Sequence, residues 1–402
     1  MQVSEVNLTK ETLPDWDTST IGECFELING LAFKPNDWKQ TGVPIIRIQN
    51  LNDPDATLNY FQGSVPERNK IDSGDLLFAW SGTLGSSFGA RIWDGPSGVL
   101  NQHIFKVLTD ENVITKDFAL LAFALVEQDI AREAHGFKSS FVHVKKSDLQ
   151  KVVLQIPPVA EQRKIFSALS DVDALIAGLE KLIAKKRDLK QAVMQQLLTG
   201  QIRLPGFSGE WTVKRLGDLA EMGSGGTPPS ANTAYYGGDI PWVAIADMTG
   251  GGKYIAATER NLTALGLANS AAQMFPAGTV LYAMYASLGE CSISTVPVTT
   301  SQAILGIRPK ANLNPEFLYY LLTSWKPMVK GLGQQGTQAN LNKGIVADFK
   351  ISLPAFDEQE SIAAVLVEID NELAVLEARL AKTRELKQGM MQELLTGKTR
   401  LI

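Results

Sequence analysis

DLKQAVMQQLLTGQIRL (188–204) returns, changed at a few positions, as ELKQGMMQELLTGKTRL (385–401). Extending the pair at its constant offset of 197 aligns Ile156–Leu204 with Leu353–Leu401 without a gap, and 23 of the 49 positions are identical. Chance does not produce such a match; the chain is an internal duplication. The stretches before each kept block correspond loosely. Trp16 followed by Ile21-Gly22-Glu23 parallels Trp211 followed by Leu216-Gly217-Asp218, and PIIRIQNL (44–51) parallels PWVAIADM (241–248). SGDLLFA (73–79) parallels AGTVLYA (277–283), and Asn101-Gln102 parallels Ser301-Gln302. The offset of these matches drifts between 195 and 204, so loops differ in length between the copies.

The kept blocks read as helices. Each opens after proline (Pro157-Pro158, Pro354) with Glu161-Gln162 or Glu358-Gln359 in the first turn, where acidic groups suit the helix dipole. Each closes at Gly200 or Gly397, suited to a C-terminal cap. Leu169, Val172, Ile176, Leu179 and Ile183 fall at alternating spacings of three and four, as do Leu366, Ile369, Leu373, Leu376 and Leu380. That is a heptad seam. About 39 residues at ~1.5 Å each predict a rod of roughly 58 Å. Residues 161–199 carry 7 Lys/Arg against 5 Asp/Glu, whereas 358–396 carry 4 against 8. Opposite charge favours pairing of the two rods within one chain over homodimerisation, and chain order favours an antiparallel pair.

The variable regions read differently. Short apolar or alternating runs (VPIIRIQNL, DLLFAWSG, GVLNQHIFKVL) broken by Gly, Pro, Asn and Asp predict strands and turns. One apolar stretch in each, 117–133 and 315–332, predicts a helix. The expected fold class is α+β: two globular domains separated by two long helices that form an intrachain antiparallel coiled coil, with a pseudo-two-fold internal repeat. The expected segments are 1–155 (first globular domain), 156–205 (first helical spacer), 206–352 (second globular domain) and 353–402 (second spacer).

At 402 residues and 45% hydrophobic content the chain can bury a sizeable core. Two cysteines, Cys24 and Cys291, are too few for a disulfide framework. No stretch approaches a membrane span and the first residues do not read as a signal peptide, so a cytoplasmic location is expected. A net charge of −5 argues against extensive contact with phosphates by this chain alone.

Catalytic signatures are missing. The Pro-Pro pairs in IPPV (156–159) and TPPS (227–230) lack the Asn/Asp and aromatic neighbours that an adenine methyltransferase loop needs. Gly397-Lys398-Thr399 mimics the end of a P-loop, but Gln392 stands where its first glycine belongs and its twin has Gln201 in place of lysine. Asp188-Leu189-Lys190 and Glu385-Leu386-Lys387 have a nuclease-like spacing on what reads as a solvated helix face. The three histidines, His103, His135 and His143, show no metal-ligand spacing. No catalytic residue and no metal site is expected.

Pro-x-x-x-Glu-Gln opening a long helix that ends in Leu-Leu-Thr-Gly stands at Pro157, Glu161-Gln162 and 197–200, and again at Pro354, Glu358-Gln359 and 394–397. With two variable domains alternating with these blocks, essentially the whole chain resembles the specificity subunits of type I restriction–modification systems. The resemblance implies two target-recognition domains, each reading one half of a split site in double-stranded DNA, with the rods setting the unread gap. It implies two methyltransferase (modification) subunits that carry S-adenosylmethionine and methylate adenine. It also implies restriction/motor subunits using ATP and Mg. The chain itself would hold no cofactor and catalyse nothing.

Base-edge contacts need polar side chains on loops or strands that reach a groove. GFKSSFVHVKK (136–146) offers Lys138, Ser139, Ser140, His143, Lys145 and Lys146. GQQGTQANLNK (333–343) offers Gln334, Gln335, Thr337, Gln338, Asn340, Asn342 and Lys343. Both precede a rod at the same distance yet differ in content, as two readers of different half-sites should. The glycine-rich loops 81–91 and 222–236 are second candidates, and Arg47 and Gln49 are either readers or structural. Two other readings stay open: a duplicated scaffold whose rods recruit a partner without DNA, favoured by the acidic charge, and a nuclease built on the carboxylates above.

Overall fold

The computed structural model describes residues 15–53, 55–135, 141–332 and 341–402. The chain divides into two units. The first takes Met1–Leu179 together with Arg379–Ile402, and the second takes Glu180–Ala378. Each unit thus contains one globular region and a piece of both long helices, Val159–Leu198 and Phe356–Leu394, called the first and second rod below.

In the first unit one sheet runs in the order Phe25–Asn29, Ile104–Thr109, Leu76–Ala79, Gly89–Ile92, all antiparallel. Strand Leu76–Ala79 is buried on both faces. Its alternation divides the side chains between two cores: Leu76 and Phe78 join the aromatic core around Phe25, Phe118 and Phe123, while Leu77 and Ala79 join Ile46, Trp93 and Ile104. A continuous apolar run is what a strand covered on both sides requires. A second sheet orders Asn59–Phe61, Val43–Ile46, Gly98–Leu100 and Lys70–Ile71, with Val43–Ile46 parallel to Gly98–Leu100. Helix Lys116–His135 packs Phe118, Ala122, Phe123 and Val126 into the aromatic core.

The second unit repeats this plan with one strand more in its larger sheet and one fewer in its smaller sheet. Its larger sheet runs Ala220–Ser224, Ile304–Pro309, Val280–Ala283, Cys291–Ser294, and gains Tyr254–Ile255 as a parallel edge strand. Val280 and Tyr282 face one core, Leu281 and Ala283 the other. The smaller sheet again sets one strand, Tyr236–Val243, antiparallel to Arg260–Leu262 and parallel to Thr299–Thr300. The apolar stretch 315–332 is not one helix. It breaks at Trp325 into Pro315–Ser324 and Lys326–Leu332, because Pro327 has no N–H to continue the ladder.

The rods pair through the heptad positions. Leu169, Leu179, Ile183, Leu366 and Leu373 are buried, and Val172, Ile176, Ile369, Leu376 and Leu380 are half-buried. Within the second unit, as numbers rise along the first rod they fall along the second: Lys186 pairs with Glu372 and Lys190 with Asp370 at 2.5 Å, and beyond the rod's end Arg203 pairs with Glu358 at 2.5 Å. The pairing is therefore antiparallel. Within the first unit Lys387 meets Asp173 at 2.6 Å, which is the Lys190–Asp370 pair moved by one repeat in both members. Both rods end in a left-handed glycine, Gly200 at φ +71° and Gly397 at φ +70°. Gly397-Lys398-Thr399 is accordingly a helix cap, with the Thr399 N–H donating 3.2 Å to the Glu393 carbonyl.

Candidate nucleic-acid interface

The first turn of each rod does more than complement a dipole. Glu161 accepts a two-pronged bond from Arg400, Nε to Oε1 and Nη2 to Oε2, both at 2.8 Å. It also accepts the Trp16 indole N–H at 3.1 Å and the Leu401 amide at 3.1 Å. The fork with Arg400 holds the Glu161 carboxyl below its ordinary value of 4.5, against a smaller upward push from burial, with Trp16 and the Leu401 amide adding to the fall. In the second unit Glu358 accepts Arg203 Nε at 2.5 Å, Arg203 Nη2 at 2.6 Å and the Trp211 indole at 3.2 Å. Each arginine also lies over its tryptophan, 5.5 Å for Arg400 on Trp16 and 5.4 Å for Arg203 on Trp211.

The neighbouring glutamines anchor the globular regions to the rods. Gln162 accepts from the Thr115 amide and donates to the carbonyls of Val113 and Pro157, all at 2.8 Å. Gln359 accepts from the Asn314 amide at 2.9 Å and donates to the carbonyls of Asn312 at 3.1 Å and Pro354 at 3.0 Å. The repeated Glu-Gln is thus a frame that holds strand, helix and rod in one geometry twice over. Sequence reasoning missed Arg203, Arg400, Trp16 and Trp211 as its partners. The signal was available, since Arg203 and Arg400 are identical positions of the repeat.

Lys138, Ser139, Ser140, Gln334, Gln335, Thr337, Gln338 and Asn340 lie outside the described residues. Of the flanking candidates, His143, Lys146 and Asn342 make contacts within the domain. His143 ends the strand Phe141–His143, which pairs antiparallel with Ser81–Thr83. Its ring packs edge-on to Trp80 at 4.8 Å, and His103 packs on the same indole at 5.1 Å. Lys145 is exposed. Lys146 is tied inward, donating 2.6 Å to the Leu27 carbonyl and lying 5.9 Å from the Phe105 ring. At the equivalent place Asn342 caps the helix Lys343–Ala347 by accepting the Ile345 amide at 3.0 Å, and Lys343 is exposed. Each candidate segment is followed by a short helix, Lys146–Leu149 or Lys343–Ala347, and then by one strand before its rod.

Loop 81–91 is latched to the body. Arg91 donates 3.2 Å to the Leu51 carbonyl, 2.5 Å to Asn52 Oδ1 and 2.9 Å to the Ser86 carbonyl. Glu127 accepts the Ala90 amide at 3.0 Å, and burial pushes its carboxyl up. In loop 222–236, Asn232 caps the turn Thr233–Tyr235 and the Gly226 carbonyl accepts the Trp242 indole at 2.9 Å. Among the described residues no cluster of His, Cys, Asp or Glu could hold a metal ion, and no helix is long and apolar enough to cross a membrane.

Two copies of one α+β plan, each locked by the same Glu–Arg–Trp contact, match a known family. Residues 14–186 and 208–385 fit the family described as the type I restriction modification DNA specificity domain. The chain belongs to that family. It is 25% identical to the putative type I restriction enzyme MjaX specificity subunit of Methanocaldococcus jannaschii, over 96% of this chain and 94% of that one. It is 33% identical to the MjaIX specificity subunit of the same organism, over 40% of this chain and 38% of that protein. Among solved structures, the HsdS subunit of Thermoanaerobacter tengcongensis superposes with a TM-score of 0.54 at 19% identity, covering 97% of this chain and 98% of that one. The S subunit from M. genitalium gives 0.57 at 16% identity, with 97% and 98% covered. The last two establish a shared fold: a duplicated α+β architecture with paired long helices.

Proposed function

We propose that this specificity subunit reads a bipartite DNA site, one half-site per globular region, and directs adenine methylation and restriction by partner subunits without doing chemistry itself. The observation that carries this reading is the contrast within the duplication. The frame is kept residue for residue at Glu161/Glu358, Gln162/Gln359 and Arg203/Arg400, while the segments at 136–146 and 333–343 share almost nothing. A binding protein that reads two different sequences with one scaffold has that pattern. The partners in this reading are double-stranded DNA, two methyltransferase subunits that hold S-adenosylmethionine, and restriction subunits that use ATP and Mg, all in the cytoplasm.

The acidic charge, −5 overall, favours partners that supply many of the phosphate contacts. The test is selection from a random duplex pool by the chain co-purified with its modification subunit. A two-part consensus with a fixed gap is the expected result. A soluble complex that selects nothing would favour the scaffold reading, and metal-dependent cleavage by the isolated chain would favour a nuclease.

A further inference from the structure

Arginines in the globular regions are mostly spoken for. Arg68 faces Glu26 at 3.8 Å, Arg215 faces Asp348 at 3.3 Å and Arg308 faces Glu221 at 2.7 Å. Arg91 is bound to the Leu51 and Ser86 carbonyls and to Asn52. Among arginines with described side chains there, Arg47 and Arg260 differ: each has an aromatic partner and no ion pair. Arg47 lies 5.2 Å from the Trp38 ring. Arg260 lies 4.3 Å from the Tyr236 ring and 5.5 Å from that of Trp242.

The two sit at matching places. Arg47 directly follows Ile46, the last residue of the central strand of the smaller sheet, whose carbonyl accepts the Asn101 amide at 2.9 Å. Arg260 lies across from Trp242 in the central strand of the second smaller sheet, next to Val243, whose carbonyl accepts the Ser301 amide at 2.9 Å. Asn101-Gln102 and Ser301-Gln302 are the turn kept in both copies. The arginines themselves are not equivalent positions, since Ala244 stands where Arg47 would repeat. Each copy thus arrives at the same device by a different residue.

Arg47 adds a second observation. Its Nε is buried and has no hydrogen-bond partner. A desolvated cationic donor without an acceptor is costly unless an acceptor arrives. A ring beside the guanidinium restricts it, and the Nη groups of Arg47, unlike its Nε, are not among the buried unpartnered atoms, so they can donate to phosphate oxygens.

We propose that Arg47 and Arg260 are matched phosphate clamps, one per globular region, each gripping the DNA backbone beside a half-site. This rests on the DNA-reading function proposed above. Phosphate rather than guanine follows from the matching: two regions that read different bases share only the sugar–phosphate backbone as a common target.

The test uses the complex of this chain with its modification subunit and a duplex that the wild-type complex selects from a random pool. Arg47→Ala and Arg260→Ala are each expected to lower the slope of log affinity against log salt by about 0.9, and the double variant by about 1.8, with the selected consensus unchanged. If Arg47→Ala does not fold, Arg47→Gln keeps a polar side chain of intermediate length, removes the charge and is expected to give the same loss. An unchanged slope overturns the clamp. A consensus relaxed at one position also overturns it, by making the arginine a base reader. A wild-type complex that selects no duplex fails the DNA-reading function itself, which separates the two failures.

Discussion

Glu161 and Arg400, 239 residues apart in sequence, share two hydrogen bonds of 2.8 Å. The pair closes the first unit: it ties the start of one rod to the tail that follows the other. Glu358 and Arg203 do the same in the second unit. The frame's stability is therefore tied to carboxylate charge. A carboxylate whose folded-state pKa is lowered contributes stability that is complete above its unfolded value and is lost as pH falls through the folded value. For Glu161 that window lies below its ordinary 4.5. Glu161→Gln should melt lower than the parent at pH 7, and the two melting curves should converge as pH falls below 4.5. A melting difference that stays constant into acid would remove the Arg400 fork as the cause.

The rods' charge pattern predicts a reversal experiment. Lys387 and Asp173 are paired at 2.6 Å and only partly shielded from solvent. Lys387→Glu should destabilise the chain by about 0.2–1 kcal/mol, and adding Asp173→Lys should recover most of that. Urea denaturation of the two single variants and the double variant measures the coupling. Absence of recovery would mean that this pair does not contribute to rod pairing.

Seam and surface should separate sharply. Leu366 is fully buried, and Leu366→Ala should cost about 2–5 kcal/mol. Val375 on the same helix is 68% exposed, and Val375→Ala should change stability by less than about 0.5 kcal/mol. Comparable losses from both would contradict the helix orientation.

The two thiols should differ from disulfide chemistry and from each other. Cys291 is buried and free, and burial pushes its thiol far up. Cys24 is only half-buried. A thiol reagent at pH 8 should label Cys24 slowly and Cys291 only after unfolding. Rapid native-state labelling of two thiols per chain would contradict the core around Tyr282 and Cys291.

Much of this architecture is legible in the sequence because it rests on local periodicity. The seam from Leu169 to Ile183 states a rod, and LLFA (76–79) and VLYA (280–283) state strands covered on both faces. The break at Trp325 was hidden by the unbroken apolar character of 315–332, although Pro327 marks it. What was least legible depends on distance. Glu161 alone reads as a helix-dipole residue, and its fork with Arg400 and Trp16 exists only after the chain has folded back on itself. Arg260 gives no sequence signal either, since its meaning lies in Tyr236 and Trp242 lying beside it with no carboxylate paired to it. Lys146 and Asn342 show the reverse. Their residue types suggest base contacts, and the structure adds that Lys146 Nζ donates to the Leu27 carbonyl and Asn342 Oδ1 accepts the Ile345 amide.

The central claim is that this chain chooses the DNA site for its complex. It is tested most directly by co-expressing the chain with its modification subunit and mapping methylated adenines across the host DNA, with and without the chain. The account predicts a two-part motif with a fixed gap that disappears when the chain is omitted. Methylation at an unchanged motif without the chain, or no motif from a soluble assembled complex, would contradict it.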